Sequence, residues 1–497
     1  MRANPWLFSI LMALGATTVP FPAARAQTTA PAIPESAASA SVMPPSETQP
    51  VGADFWSRSA LFGDLLGSRP ALGARGITFQ LQETSEVLGN VRGGTRRGVV
   101  YEGMTQASLG FDFGKMGLWQ GGSVLISALQ IHGRGASSNL LGNPVHIVSG
   151  IEATRATRLY DAYFEQKFFD GRVSIRIGQM RADDEFLISQ YGLNGGAGDP
   201  NAYAFASANA LFVNATFGFP ALLPNDLPSG GPAFPLAAPG IRLRVQPIPA
   251  ITLLAAAFNG DPAGSGNGDP QLRNHGGILF PLRDGVLAFV EAQYAVNQAH
   301  DAPGLPGTYR IGGWFHNGTY PDQRYGTDGL PLADPASNGI ARGHHGTYGF
   351  YAMFDQMVLQ TGKSRDQGIG VFARVVGTPG DHNQISFYLN GGITWKGPIP
   401  GRENDSLGLG IAYAAFSGQS RRLDQDAAAF DPSGFHPVRN QETVLELTYQ
   451  YQATGWLAIQ PDIQWISHPG GGIPDPFTPG RRVRDSLLLG LRTAITF

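Results

Sequence analysis

The chain ends with Arg484-Asp485-Ser486-Leu487-Leu488-Leu489-Gly490-Leu491-Arg492-Thr493-Ala494-Ile495-Thr496-Phe497, and this stretch decides how the rest is read. Successive side chains of an extended strand point to opposite faces. Leu487, Leu489, Leu491, Thr493, Ile495 and Phe497 then share one face; Leu488, Gly490, Arg492, Ala494 and Thr496 share the other. The first face suits hydrocarbon, and the second holds a charge among small residues. A single strand of this kind fits a soluble sheet equally well. Repetition separates the two readings. Alternation recurs at Ile77, Phe79 and Leu81, at Val173, Ile175 and Ile177, and at Ile241, Leu243 and Val245. It returns at Ile385, Phe387 and Leu389, at Leu407, Leu409, Ile411 and Tyr413, at Leu445, Leu447, Tyr449 and Tyr451, and at Leu457, Ile459, Ile463 and Trp465. Between the apolar positions stand Gln80, Arg176, Arg242, Arg244, Asn390, Glu446, Gln450, Gln460, Asp462 and Gln464. A water-filled interior explains that set better than a packed sandwich core. The reading is an all-β, transmembrane antiparallel barrel of about 16 strands, an even number as single-chain bacterial barrels require.

Composition agrees. Charged residues make up 15% of the 497, against about 25% in ordinary soluble domains. Hydrophobic residues make up 42%, yet no apolar run beyond the N-terminus approaches the ~20 residues of a membrane helix. Alternating lipid-facing and lumen-facing residues dilute hydropathy in this way. A net charge of -3 gives no nucleic-acid signature, and the absence of cysteine removes disulfides, thiolate metal sites and Cys nucleophiles together.

Residues 1–26 read as an export signal: Arg2 supplies the positive end, Trp6 to Ala16 the apolar core, and Ala24-Arg25-Ala26 the cleavage site. Residues 27–54, rich in Pro, Ala, Ser and Thr, cannot bury enough apolar surface to fold and are expected to form a disordered periplasmic tail. Residues 55–76 are expected to be a short periplasmic segment, with a helix as its candidate conformation, before the barrel domain at 77–497.

Loop lengths alternate. Tight links are expected at Asp170-Gly171, Pro247 to Pro249, Lys396 to Arg402 and Thr454-Gly455. Long ones are expected at Gly133 to Arg155, Met180 to Ala238, Gly260 to Leu282, Phe315 to His344, Ser417 to Asn440 and His468 to Arg482. Short periplasmic turns and long external loops give that parity. The link near Gly377 to His382 departs from it. The longest link, Met180 to Ala238, contains Tyr191, Tyr203, Phe205, Phe212, Phe217 and Phe219 but only Asp199 and Asp226 as charges after Phe186. Such apolarity is costly in water, so this third external loop should fold inward. It is expected to narrow the lumen opposite a basic side made by Arg176, Arg242 and Arg244.

Specific blocks carry a family resemblance. Leu61-Phe62-Gly63-Asp64 with Arg69-Pro70 and Gly76-Ile77 resembles the opening signature of the carbohydrate-selective porins of the bacterial outer membrane, the OprB type. The likeness continues through Arg158-Leu159-Tyr160, Asp183-Asp184-Glu185-Phe186, Arg310-Ile311-Gly312-Gly313-Trp314, Asp355-Gln356-Met357 and Gln460-Pro461-Asp462-Ile463-Gln464. Leu65-Leu66 departs from the family pattern, where Trp-Gly is expected. The final Phe497 is similar to the closing residue of outer-membrane barrels, which the barrel assembly machinery reads. The resemblance implies passive diffusion of mono- or small oligosaccharides and polyols, outer-membrane lipids as surroundings, and a monomer.

Other motifs yield less. Thr361-Gly362-Lys363-Ser364 echoes the end of a P-loop, but Met357 occupies the position of the first glycine. His344 and His345, adjacent on a strand, point apart and read as a solvated loop end. Asp183-Asp184-Glu185 has no accompanying nucleophile and reads as a structural charge cluster. Trp119, Trp395, Trp456, Trp465 and Tyr451 suit the aromatic girdles at the membrane interfaces. No catalytic residue, metal site or cofactor is expected.

Function should reside on the inward face. Candidates for the lumen or constriction are Glu102, Asp161, Glu165, Arg176, Arg242, Arg244, Glu291, Arg310, Trp314, Arg374, Glu446 and Arg492. Both charge signs occur, which suits neutral, hydroxyl-rich solutes better than a one-sign ring that selects ions. Sugars need donors and acceptors for hydroxyls and flat apolar faces for their C–H sides. The alternatives are a general small-solute porin without sugar preference and an outer-membrane barrel enzyme.

Overall fold

The computed structural model describes residues 54–189, 211–299 and 302–497. The expected signal peptide and nearly all of the expected tail lie outside the described residues. Sixteen antiparallel strands close into a barrel. In chain order they are β1 Ile77–Gly94, β2 Gly98–Asp112, β3 Gly122–Gly133, β4 Ala156–Phe168, β5 Val173–Met180, β6 Ala238–Ile248, β7 Ile251–Asn259 and β8 Val286–Val296. They continue with β9 Gly307–Gly326, β10 Ala341–Gln360, β11 Gly368–Gly377, β12 Ile385–Lys396, β13 Ser406–Phe416, β14 Gln441–Thr454, β15 Leu457–Ser467 and β16 Arg484–Thr496. Each strand pairs with its sequence neighbours. The seam is β16 on β1, in a register that sets Gln82 opposite Thr496 and Glu86 opposite Arg492.

The strands form as their alternation dictates. On β16, Ser486, Leu488 and Arg492 are buried inside, whereas Leu489 and Leu491 are each 47% exposed on the outer face. That outer row is the one hydrocarbon covers in a membrane. Closure leaves no sheet edge with unpaired backbone groups, the condition for strands to cross lipid. Among the described residues no helix is long and apolar enough to cross a membrane, so the crossing falls to the strands.

An even strand count brings both ends of the barrel sequence to one rim, and most of the short turns lie there too, the β1–β2 and β11–β12 links excepted. In the β4–β5 turn Phe169, Asp170 and Gly171 all take positive φ, and Gly171 at +84° is the one with no Cβ to crowd. The longer links lie at the other rim. The expected loop from Phe315 to His344 is shorter than its sequence suggested: β9 and β10 continue as a hairpin and leave only 327–340 as link. Their cross-strand hydrogen bonds persist past the apolar part of the pattern, so polar residues such as Asn317 and Arg342 sit on strands.

A segment before β1, with a helix at Ser68–Ala74, packs on the rim that holds the C-terminus. The Leu61 N–H donates to the Thr496 carbonyl at 2.8 Å, and Arg69 Nη2 donates to the Phe497 carbonyl at 2.6 Å. The Phe62 and Phe497 rings lie 5.5 Å apart. Trp456 does not join a girdle. It is buried beneath Phe55 and Trp56, and its indole N–H donates to the Phe55 carbonyl at 3.1 Å.

Candidate functional site

Among the described residues, parts of two links fold into the barrel. Residues of the β5–β6 link do so as expected, and residues of the β3–β4 link join them, which the sequence did not suggest. The two meet through backbone hydrogen bonds: Gly150 N–H to the Val213 carbonyl at 2.8 Å and Ala215 N–H to the Ile147 carbonyl at 3.0 Å. Residues 190–210, with Tyr191, Tyr203 and Phe205, lie outside the described residues.

The charged wall residues hold these links. Arg176 on β5 stands opposite Arg242 on β6, and two like charges so placed repel. Glu165 on β4 answers both, 3.3 Å from Arg176 Nε and 3.2 Å from Arg242 Nη2. Glu185 lies 2.7 Å from each, and Asp184 lies 3.3 Å from Arg176. Arg181 completes the cluster, 3.1 Å from Asp161, 3.4 Å from Asp183 and 3.4 Å from Asp184. The acidic start of the link therefore sits on the arginines. This corrects the expectation that Arg176 and Arg242 form a bare basic side facing the link. Uncompensated guanidinium groups are too costly to bury, so the neighbouring carboxylates are drawn onto them. Burial outweighs Arg181 and Arg176 at Asp184 and pushes that carboxyl up to about 6.

Farther along, wall carboxylates accept the main-chain N–H groups of the links. Glu291 on β8 accepts Leu187 N–H at 3.0 Å and the Tyr351 hydroxyl at 2.7 Å. Glu446 on β14 accepts Val213 and Asn214 at 2.6 and 3.0 Å. Arg374 on β11 does the reverse, donating to the carbonyls of Leu187, Thr216, Phe217 and Gly218. Glu442 takes the N–H groups of Val145 and His146 at 2.9 and 2.7 Å. An irregular segment has no sheet partner for its polar backbone, and these side chains supply one. The apolar seat is equally specific. Phe212 packs on Phe217 at 4.5 Å and on Phe372 of β11 at 5.6 Å. Inward-facing Gly408 and Gly410 of β13 leave room for both rings.

The remaining candidates lie elsewhere on the wall. Arg310 of β9 pairs with Asp355 of β10 at 2.7 Å, and Asp355 also accepts the Ser189 hydroxyl. Trp314 stacks on Tyr351 at 6.3 Å and lies 6.4 Å from Phe289. Across the seam Arg492 pairs with Glu86 at 2.7 Å, and Glu102 stands opposite Glu86 in register. Arg244 donates to the Gly171 carbonyl at 3.0 Å near the short turns. Thus Asp161, Glu165, Arg176 and Arg242 form one cluster. Glu291, Arg374 and Glu446 clasp the links, and Glu102, Arg310, Trp314 and Arg492 are wall positions. All of these side chains are buried. Glu86, Asp355 and Glu442 were missed, although each shares the inward parity of a candidate on its own or the neighbouring strand. Nothing in the pattern marks Arg181 or His146.

A closed sixteen-stranded barrel with apolar outer rows, a charged inner face and folded-in links defines a porin, a channel of the bacterial outer membrane. The family described as "Carbohydrate-selective porin, OprB family" matches residues 96–497, and this chain belongs to it. It is 23% identical over 424 residues to Porin B of Pseudomonas aeruginosa, covering 83% of this chain and 87% of that protein. The high-pH structure of Pseudomonas putida OprB superposes with a TM-score of 0.76 at 21% identity, covering 90% of this chain and 100% of that one. The low-pH structure gives 0.51 at 16% identity, covering 89% and 99%. The chain is a carbohydrate-selective porin, and its family is one of channels rather than enzymes.

Proposed function

We propose that mono- or small oligosaccharides and polyols pass between the barrel wall and the folded-in links, with Glu102, Asp161, Glu165, Arg176, Arg242, Arg244, Glu291, Arg310, Trp314, Arg374, Glu446 and Arg492 shaping the constriction. One observation carries this reading. Many charges of the inner face are paired: Arg176 and Arg242 with Glu165 and Glu185, Arg310 with Asp355, and Arg492 with Glu86. A paired wall presents little field of one sign to an ion. A neutral, hydroxyl-rich solute loses nothing on such a wall, whereas a ring of one sign would select ions.

The clasping residues act by holding the links, and the buried wall pairs act by cancelling the field that the solute meets. The protein works as a monomer, and the barrel assembly machinery reads its closing strand through Phe497. Removal of Phe497 should lower the yield of folded, heat-modifiable barrel. Liposomes containing the protein should swell faster in an isotonic monosaccharide or polyol than in a charged solute of similar size. Equal rates would make this a general diffusion pore.

A further inference from the structure

At the rim of the long links three ligand-bearing side chains converge. They are His344 on β10 and Asp381 and His382 in the 378–384 link, and one ligand atom from each lies within 4.8 Å of the others. His344 and His345 do point apart, and His345 is exposed. The partner for His344 comes from another part of the sheet, which strand parity alone cannot reveal.

The hydrogen bonds around the cluster fix both rings. Asp322 is a carboxylate that also accepts from Arg342 at 2.6 Å, so at 2.9 Å from His344 Nε2 it must be the acceptor. Thr347 Oγ1 accepts Asn383 Nδ2 at 2.9 Å and lies 3.0 Å from His382 Nε2, which holds that ring in place. The His344 imidazole therefore carries its proton on Nε2 and turns its Nδ1 lone pair toward the Asp381 carboxylate, and His382 turns its Nδ1 to the same carboxylate. The distances are 3.6 Å from His344 Nδ1 to Oδ2 and 2.6 Å from His382 Nδ1 to Oδ1. The His382 Nδ1–Asp381 Oδ1 pair is close but not aligned as a hydrogen bond, and His382 is only 7% exposed. A cation held by all three groups would take the place of that pair. The backbone is held ready as well, because the Asp381 carbonyl accepts Gln323 N–H at 2.8 Å.

We propose that His344 Nδ1, His382 Nδ1 and the Asp381 carboxylate bind a divalent transition-metal ion, with Zn²⁺ as the best match. Two imidazoles and one carboxylate are a Zn²⁺ donor set, whereas Ca²⁺ and Mg²⁺ prefer oxygen alone. Asp322 and Thr347 orient the ligands from behind, as partners of metal-bound histidines do. Side-chain exposures of 21% at His344 and 46% at Asp381 leave the remaining coordination positions open to water. The ion would tie β10 to the link whose Gln384 N–H is accepted by Asp226 of the folded-in segment at 3.0 Å. It would thereby brace the ledge on which that segment rests.

Calorimetric titration of the untagged, detergent-folded protein with ZnCl₂ tests this, using heat-modifiable migration to establish that each variant is folded. The wild type should show one tight site that His345→Ala retains. His344→Ala and His382→Ala should each weaken it by more than the roughly 10–100-fold that loss of an orienting partner alone costs. Should His382→Ala fail to fold, His344→Ala and Asp381→Asn carry the same expectation at partly exposed positions. An unchanged isotherm in those variants would overturn the site. So would a wild type that takes up no Zn²⁺, the outcome expected if His382 merely pairs with Asp381.

Discussion

Phe217 of the β5–β6 link lies against Gly410 of β13 so closely that a Cβ at position 410 would fall 2.7 Å from its ring. The contact joins an irregular loop to the barrel wall by shape. It depends on a residue type that strand propensity disfavours.

Gly410→Leu should expel the ring. Overpacking costs about 1–3 kcal/mol, enough to loosen a seat made by Phe212, Phe217 and Phe372 without opening the sheet. The variant should fold as a heat-modifiable barrel and show a larger single-channel conductance than the wild type. Unchanged conductance in folded protein would remove this segment from the constriction.

Arg242→Ala and Arg244→Ala should differ. Arg242 neutralises Glu165 and Glu185 inside the barrel, and breaking a buried pair costs about 3–5 kcal/mol. Arg244 lies nearer the rim and donates to a turn carbonyl, a hydrogen bond of about 1.5–3 kcal/mol for a charged donor. Denaturant midpoints should fall more for Arg242→Ala. Reversal potentials should show that variant turning toward cations.

Asp226 makes docking of its segment sensitive to pH. Burial pushes its carboxyl up to about 8, although it accepts Gln384 and Ile385 N–H groups. A released Asp226 titrates near its ordinary value of about 3.9. The docked form therefore holds the proton more tightly. Docking is strongest below the released value and weakens as pH rises through about 8. Hydrogen exchange around 222–227, corrected for intrinsic rates, should show protection falling between pH 5 and pH 8 in the wild type. Asp226→Asn should remove that trend, and a trend that survives it must come from another group.

Strand count, parity and the inward charges were legible because a barrel wall alternates residue by residue. The folded-in loop was legible from its apolarity. Its contacts were not, because they join residues distant in sequence: Glu446 to Val213, Arg374 to Thr216, and Asp184 to Arg176. Periodicity places a side chain on a face but does not say what covers it. For that reason Arg176 and Arg242 read as bare charges when the link's own acids cover them. Trp456 was misplaced for the same reason, since its cover comes from Phe55, which lies before the first strand.

Orientation can be checked on cells, because the chain contains no cysteine. Asn267→Cys, in an exposed link of the long-loop rim, should react with an impermeant maleimide on intact cells. Asp170→Cys, exposed in the β4–β5 turn, should react only after permeabilisation. Ser137, although in an external link, is buried and would be a poor reporter. Labelling of residue 170 on intact cells would invert the topology.

The central claim, that a charge-balanced path serves neutral sugars, is tested most directly by single-channel recording in a planar bilayer under a KCl gradient while a monosaccharide is added. The account predicts a reversal potential near zero and a current that falls as sugar occupies the constriction. A strongly cation- or anion-selective reversal potential, with a current indifferent to sugar, would contradict it.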